Sequence, residues 1–311
     1  MIWLIGAGGI AQEYAKILKA LDKEFICVGR GMQTAKTFEE ATGGSVITGG
    51  LEKFFLTNPS LPEAAIVAVN DYSHVQTNLA LMKYGVKRIL CEKPGFYAPK
   101  ELDEIMSVKS NYDTEIYIAY NRRFYSSVLA AEKIIAEDGG LLSFNFEFTE
   151  WLHVLSQKDN PGKALAYLFY GNSCHVVDLA FFMGGLPVEM SCYSKDECPW
   201  HNPINFAGAG RTDKDILFSY NANWNAPGRW AVELLTSHHR IYLKPMEQLQ
   251  LQDKGSVKIY PVEIDDHLDK EFKPGFYLET KAFLECDTSR LCSLEMQVDH
   301  VKNIYMKMMR V

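Results

Sequence analysis

Apolar residues follow two different rhythms along the chain, and the change comes near residue 120. Before it, unbroken apolar runs at 1–5, 25–28, 64–69, 88–91 and 115–120 take turns with stretches at 10–21, 34–42, 75–84 and 102–109, where apolar positions recur every three or four residues. An unbroken run suits a strand covered on both faces. The wider spacing, as in Ile10, Tyr14, Ile17, Leu18 and Leu21, suits a helix with one buried side. Gly43-Gly44 and Gly85 stand where such helices stop. Strand and helix in alternation predict a doubly wound parallel sheet, whose ligands sit beyond the carboxyl ends of its strands.

Past residue 120 the period shortens to two. Apolar and polar positions alternate at 142–148, 216–220, 230–235 and 240–243, with many aromatics, as in antiparallel strands with one covered face. Helices are expected at 127–137, ended by Gly139-Gly140; at 175–183, ended by Gly184-Gly185; and at 277–284 and 292–309. The pattern predicts two domains: a parallel-sheet domain at 1–120, and at 121–311 an α+β domain with a large open, mainly antiparallel sheet. An open sheet has edges and a face to cover, so a homodimer or homotetramer built through it is expected. A second glycine-rich stretch, Ala207-Gly208-Ala209-Gly210, has no apolar strand before it and no helical period after it, and reads as a loop.

Composition narrows the classes. With 311 residues, 47% hydrophobic and 23% charged, the chain is an ordinary globular one, long enough for two cores. Its net charge of −7 argues against a nucleic-acid partner, which needs a basic face. No apolar run is long enough to span a bilayer, and the first strand begins at Met1, leaving no leader. Seven scattered cysteines, none in a C-x-x-C pair, read as reduced thiols. A cytoplasmic protein without a membrane partner is expected. No structural-zinc spacing exists, His238-His239 reads as a surface turn, and no metal is expected.

Chemistry enters at the first strand. Gly6-Ala7-Gly8-Gly9-Ile10-Ala11 is a G-x-G-x-x-A pattern placed where that strand turns into a helix. Such a turn lets a dinucleotide pyrophosphate rest on the helix N-terminus, where N–H groups and dipole favour negative charge. Gly6 makes the tight turn, Gly8 and Gly9 leave room for the phosphates, and Ala11 lets helix and strand approach. NAD readers place an acid at the end of the second strand. Here that end is Gly29-Arg30-Gly31, with no acid, and Arg30 could pair with a 2′-phosphate, which favours NADP over NAD. Cys91-Glu92-Lys93-Pro94 ends another apolar strand, where a lysine could hydrogen-bond a reacting oxygen.

Taken in order, the glycine turn, Glu92-Lys93-Pro94 and a later helix opening with His175-Val176-Val177-Asp178 resemble the Gfo/Idh/MocA family of oxidoreductases. Ala68-Val69-Asn70-Asp71-Tyr72-Ser73-His74 is similar to the family's strand-loop ending in His, and Asn121-Arg122-Arg123-Phe124 to the segment joining its domains. The resemblance implies a Rossmann domain with an open-sheet domain, NAD or NADP as cofactor, and oxidation or reduction of a carbinol or carbonyl in a sugar, cyclitol or sugar nucleotide. It implies a cis bond before Pro94, Lys93 as the main catalytic group and His175 as a second acid/base or orienting donor, converging with it on one oxygen. Glu92 and His74 would line the nicotinamide side, with Asn70 and Pro94 beside them.

The family commonly carries an Asp four residues before the catalytic His, where this chain has Gly171. Asn172 or Asp178 could substitute, or the chemistry differs. Two other readings therefore stay open: a non-catalytic NAD(P)-binding sensor or regulatory protein, and a reductase of imine or enone substrates. Arg123 could bind a substrate anion, Trp151 could stack on a sugar ring, and the polar stretch from Trp151 through Lys163 could overhang the site.

Overall fold

A computed structural model describes residues 1–155 and 165–310, which form two compact units. The first comprises 1–121 and 269–298, the second 122–268 and 299–311.

The first unit is built on six parallel strands: β1 (Ile2–Ile5), β2 (Phe25–Gly29), β3 (Val46–Thr48), β4 (Ala64–Val67), β5 (Arg88–Glu92) and β6 (Glu115–Ala119). They lie in the order β6-β5-β4-β1-β2-β3, so the winding reverses at β1, with β2 on one side and β4 on the other. That reversal opens the crevice in which doubly wound sheets take ligands. β1 and β4 are buried throughout, which is why they read as unbroken apolar runs. Helix Gly9–Ala20 buries Ala11, Tyr14, Ala15, Ile17 and Leu18. β3 and helix Gly50–Leu56 lack a clear period and were not expected.

The domain boundary differs from the sequence reading. Residues 269–298, assigned from sequence to the second domain, pack with the first unit. Strand Cys292–Ser293 pairs antiparallel with β6 as a seventh strand, where the apolar period suggested helix; the helix begins at Leu294. The ring of Phe276, on helix Phe276–Leu284, lies 5.1 Å from that of Tyr14. Asn121 donates to the Pro274 carbonyl at 2.9 Å.

The second unit carries an eight-stranded sheet of β7 (Ser143–Glu147), β8 (Pro187–Lys195), β9 (Asn205–Thr212), β10 (Leu217–Asn223), β11 (Ala231–Leu235), β12 (His239–Leu243), β13 (Gln250–Asp253) and β14 (Ile259–Pro261), in the order β14-β13-β12-β11-β7-β10-β9-β8. All its pairings are antiparallel except β7 with β10. One face is a layer of aromatics, Phe144, Phe146 and Phe218, whose rings meet Phe181 of helix Cys174–Gly184 at 5.0–6.0 Å. Here the glycine-rich stretch at 207–210 proves to be strand rather than loop. Gly208 and Gly210 face Tyr220 and Phe218 directly across the ladder, and a Cβ on Gly208 would lie 2.4 Å from the Tyr220 ring. The glycines make room for the partner strand's rings, so an apolar run in β9 was never needed. Among the described residues no helix is long and apolar enough to cross a membrane.

Candidate active site

In the first unit, the carboxyl ends of three adjacent strands carry the candidate chemistry: the glycine turn after β1, the loop Ala68–Asp71 after β4, and Glu92-Lys93-Pro94 at the end of β5. Gly6 has φ +117, and a Cβ there would lie 2.2 Å from the Ala68 carbonyl oxygen. Only glycine satisfies both the left-handed backbone and the close approach of the two strands. Gly8 and Gly9 differ, since a Cβ on either would meet nothing within 4 Å. Helix Gly9–Ala20 opens there without a side-chain cap and with no acid in its first turn. Bare N–H groups facing open space fit a pyrophosphate. Ile10 and Ala11 begin the helix, Ala11 fully buried against the sheet. Arg30 is exposed at the end of β2.

Glu92 is buried and accepts a hydrogen bond from the Tyr14 hydroxyl at 2.9 Å, which ties the Glu92-Lys93-Pro94 turn to the glycine helix. Burial holds its carboxyl above the usual range, against the opposing pull of Lys93, Tyr14 and Lys273. Burial likewise raises Asp71, again with Lys93 pulling it down. Lys93 thus acts by charge on two carboxyl groups, Glu92 buried and Asp71 half-buried. The Lys93–Pro94 bond is cis, as the resemblance implied. The Pro94 carbonyl accepts from Gln297 Nε2 at 2.9 Å, and Gln297 in turn accepts from the Tyr120 hydroxyl at 3.1 Å.

Asn70 is exposed and donates to the Tyr72 hydroxyl at 2.8 Å, within its own loop. His74 is a correction. Its side chain is fully buried, with Nε2 3.1 Å from the Val69 carbonyl. Burial lowers its pKa to about 4, so it stays neutral and donates from Nε2. It locks the loop from beneath, its ring closed off from the surface of the described residues.

The second unit holds the other candidates. Arg123 and Asp178 are each 1% exposed and form a bidentate pair, Nε to Oδ2 at 2.8 Å and Nη2 to Oδ1 at 2.5 Å. That excludes Arg123 as a substrate anion site, because the expected charge is spent inside the core; it also removes Asp178 as a substitute for the missing Asp. His175 lies at the start of helix Cys174–Gly184, buried, its ring 6.1 Å from that of Trp230. The turn before it, Phe169–Ser173, is a wide π-helical turn containing Gly171.

Glu150 went unnoticed in the sequence. Its carboxylate, 1% exposed, accepts from Ser173 Oγ at 2.7 Å on Oε1 and from Asn172 Nδ2 at 2.9 Å on Oε2, with Arg229 Nη1 3.7 Å away. A signal existed: Phe144, Phe146 and Phe148 face the core at period two, and Glu150 continues that parity. Asn172, expected as a substitute for the missing Asp and a substrate contact, orients this carboxylate. Trp151 is 45% exposed, and its indole N–H donates to the Gly228 carbonyl at 2.7 Å. The overhanging stretch expected after it falls, from 156 to 164, outside the described residues.

Burial raises the Glu150 pKa from 4.5 to about 7, opposed first by Ser173 and then by Arg229. The folded protein therefore holds a proton that the unfolded chain has released. Stability should fall as pH rises from 4.5 to 7, by about 3 kcal/mol from this group. Glu150→Gln should flatten that fall in urea-unfolding curves taken across the window; an unchanged slope would remove Glu150 as its source.

Residues 1–117 match the GFO_IDH_MocA family model, described as an oxidoreductase family with an NAD-binding Rossmann fold. No curated protein matches the chain in sequence. Solved structures match over nearly its whole length. An oxidoreductase from Agrobacterium radiobacter, solved with NAD+, L-tartaric acid and magnesium, is 14% identical with a TM-score of 0.75, covering 99% of this chain and 95% of that one. The WlbA dehydrogenase of Chromobacterium violaceum, solved with NADH and UDP-GlcNAcA, is 14% identical with a TM-score of 0.71, covering 99% and 93%. UDP-N-acetylglucosamine 3-dehydrogenase from Acidithiobacillus ferrooxidans is 12% identical with a TM-score of 0.73, covering 100% and 97%. At these identities the likeness establishes a shared two-part fold.

Proposed function

We propose that this chain, whose first unit is the NAD-binding Rossmann domain of Gfo/Idh/MocA oxidoreductases, is an NAD(P)-dependent dehydrogenase acting on a CH–OH group of a sugar, cyclitol or sugar nucleotide. The observation that carries the reading is the placement, on the carboxyl ends of neighbouring strands β1, β4 and β5, of an open glycine cradle and a lysine whose charge acts on one buried and one half-buried carboxyl group. Gly8, Gly9 and the first turn of helix Gly9–Ala20 would hold the pyrophosphate, and Arg30 a 2′-phosphate, which favours NADP. A bound nicotinamide supplies the hydride acceptor.

The chain's own part is proton handling. As the carbinol carbon loses hydride and becomes a carbonyl, the hydroxyl proton passes to Lys93 in its free-amine form, leaving an ammonium; in reduction that ammonium returns the proton to the carbonyl oxygen. Asp71 and Glu92 position the Lys93 head group by charge. His175 is proposed as a second acid/base or orienting group in the second unit. Structural neighbours solved with a sugar nucleotide and a hydroxy acid support a polyhydroxy substrate. The purified protein, mixed with NADP+ or NAD+ and a panel of sugars, cyclitols and sugar nucleotides, should raise the reduced-nicotinamide absorbance, faster with NADP+. Tight dinucleotide binding without turnover on any of them would overturn the reading. The eight-stranded sheet is proposed to pair with a second copy, which a monomer mass in native mass spectrometry would refute.

A further inference from the structure

We propose that Arg229, stacked between two indoles of the second unit, binds the oxyanion of a sugar bearing a carboxylate or a phosphoryl group. Taken with the dehydrogenase reading above, on which it rests for its meaning, the proposal narrows the class of ligand.

Arg229 lies between β10 and β11 in the turn Asn225-Ala226-Pro227-Gly228-Arg229-Trp230. Its amide donates to Glu147 Oε1 at 3.0 Å, and the preceding carbonyl, of Gly228, accepts from Trp151. A Cβ on Gly228 would lie 2.1 Å from the same Glu147 oxygen, so the turn is drawn tightly onto β7. The guanidinium lies over two indoles, 4.7 Å from the Trp151 ring and 4.6 Å from that of Trp230. Arg122 brings a second cation over Trp230 at 4.9 Å.

The ion pair Arg229 makes with Glu150 is a loose one. Glu150 already receives Ser173 and Asn172, and Arg229 stands 3.7 Å from it, beyond hydrogen-bond reach. Among the described residues the Arg229 guanidinium makes no hydrogen bond, and its side chain is 43% exposed. Its rotamers are restricted by stacking before any ligand arrives, which removes much of the ordering cost of binding. A planar, oriented fork of N–H donors is the group that recognises carboxylate or phosphoryl oxygens in pairs. The half-exposed Trp151 adds an apolar ring face of the kind on which a sugar's C–H face packs.

Binding can be read without cofactor or turnover, from the fluorescence of the indoles that flank Arg229. The full chain is titrated with glucose, glucuronate and glucose 6-phosphate, and with the matching galactose series. In at least one series a charged member should bind at least about tenfold more tightly than its neutral partner; whether it is the acid or the phosphate identifies the source of the oxyanion. Arg229→Gln should erase that preference and leave neutral-sugar binding unchanged. Arg229→Lys, which keeps the charge but not the planar stack, should retain less than a third of it and decides the matter if the glutamine variant does not fold. No preference in either series, or one that survives substitution, overturns the anchor. Binding of charged sugars by a chain that turns over no substrate would overturn the dehydrogenase reading instead and leave the anchor standing.

Discussion

Lys93→Ala should lower kcat by roughly 10²- to 10⁴-fold, the range for removing a positioned proton-transfer group, with dinucleotide affinity close to that of the wild type. The separation follows from the layout: the proposed phosphate cradle is backbone at Gly8 and Gly9, after β1, while Lys93 follows β5, two strands away. Lys93→Arg should not rescue activity, because a guanidinium keeps its proton at any working pH. The variant has a second expected signature. Lys93 holds down the carboxyl groups of both Asp71 and Glu92. Without it both rise further, so the folded state keeps their protons to higher pH and loses stability as pH increases. Steady-state kinetics should be paired with melting curves at pH 6 and 8. A variant that kept more than a third of wild-type kcat would end the assignment.

Asp178→Asn, or Arg123→Met alone, should destabilise the protein by about 3–5 kcal/mol, because each leaves the other member as an uncompensated charge in the core. The pair is bidentate and almost fully buried. The Phe182 ring lies 4.6 Å from the guanidinium, and His300 Nδ1 3.7 Å from Asp178. Burial lowers the His300 pKa, against the pull of Asp178. A neutral partner there leaves Asp178 dependent on Arg123. The double variant Arg123→Met, Asp178→Leu should recover most of the loss, since an apolar pair of similar volume needs no compensation. Denaturant unfolding of the four proteins measures the coupling directly. Additive losses would mean that the two residues act independently.

Two rhythms in the apolar pattern were enough to read the architecture, because a doubly covered parallel sheet and a one-faced antiparallel sheet impose different periods. The glycine turn and Lys93 were legible for the same reason: each stands at the end of an apolar run. What escaped was whatever depends on contacts across the ladder or far along the chain. Gly208 and Gly210 have meaning only opposite Tyr220 and Phe218. Arg123 read as a binder of a substrate anion, and its partner Asp178 lies 55 residues on. Glu150 carried a parity signal, but its role depends on Ser173 and Asn172, some 20 residues on. Arg229 has no motif; two indoles brought to it from different segments set its geometry.

The return of 269–298 to the first unit has a consequence during synthesis. The parallel sheet lacks its seventh strand, Phe276 is not there to cover Tyr14, and Gln297 is not there to hold the Pro94 turn until residues 276–297 have left the ribosome, well after β6. A nascent chain halted after β6 would carry the whole glycine turn yet lack these buttresses, so the support of the Lys93 turn waits on the synthesis of residues some 150 positions further on.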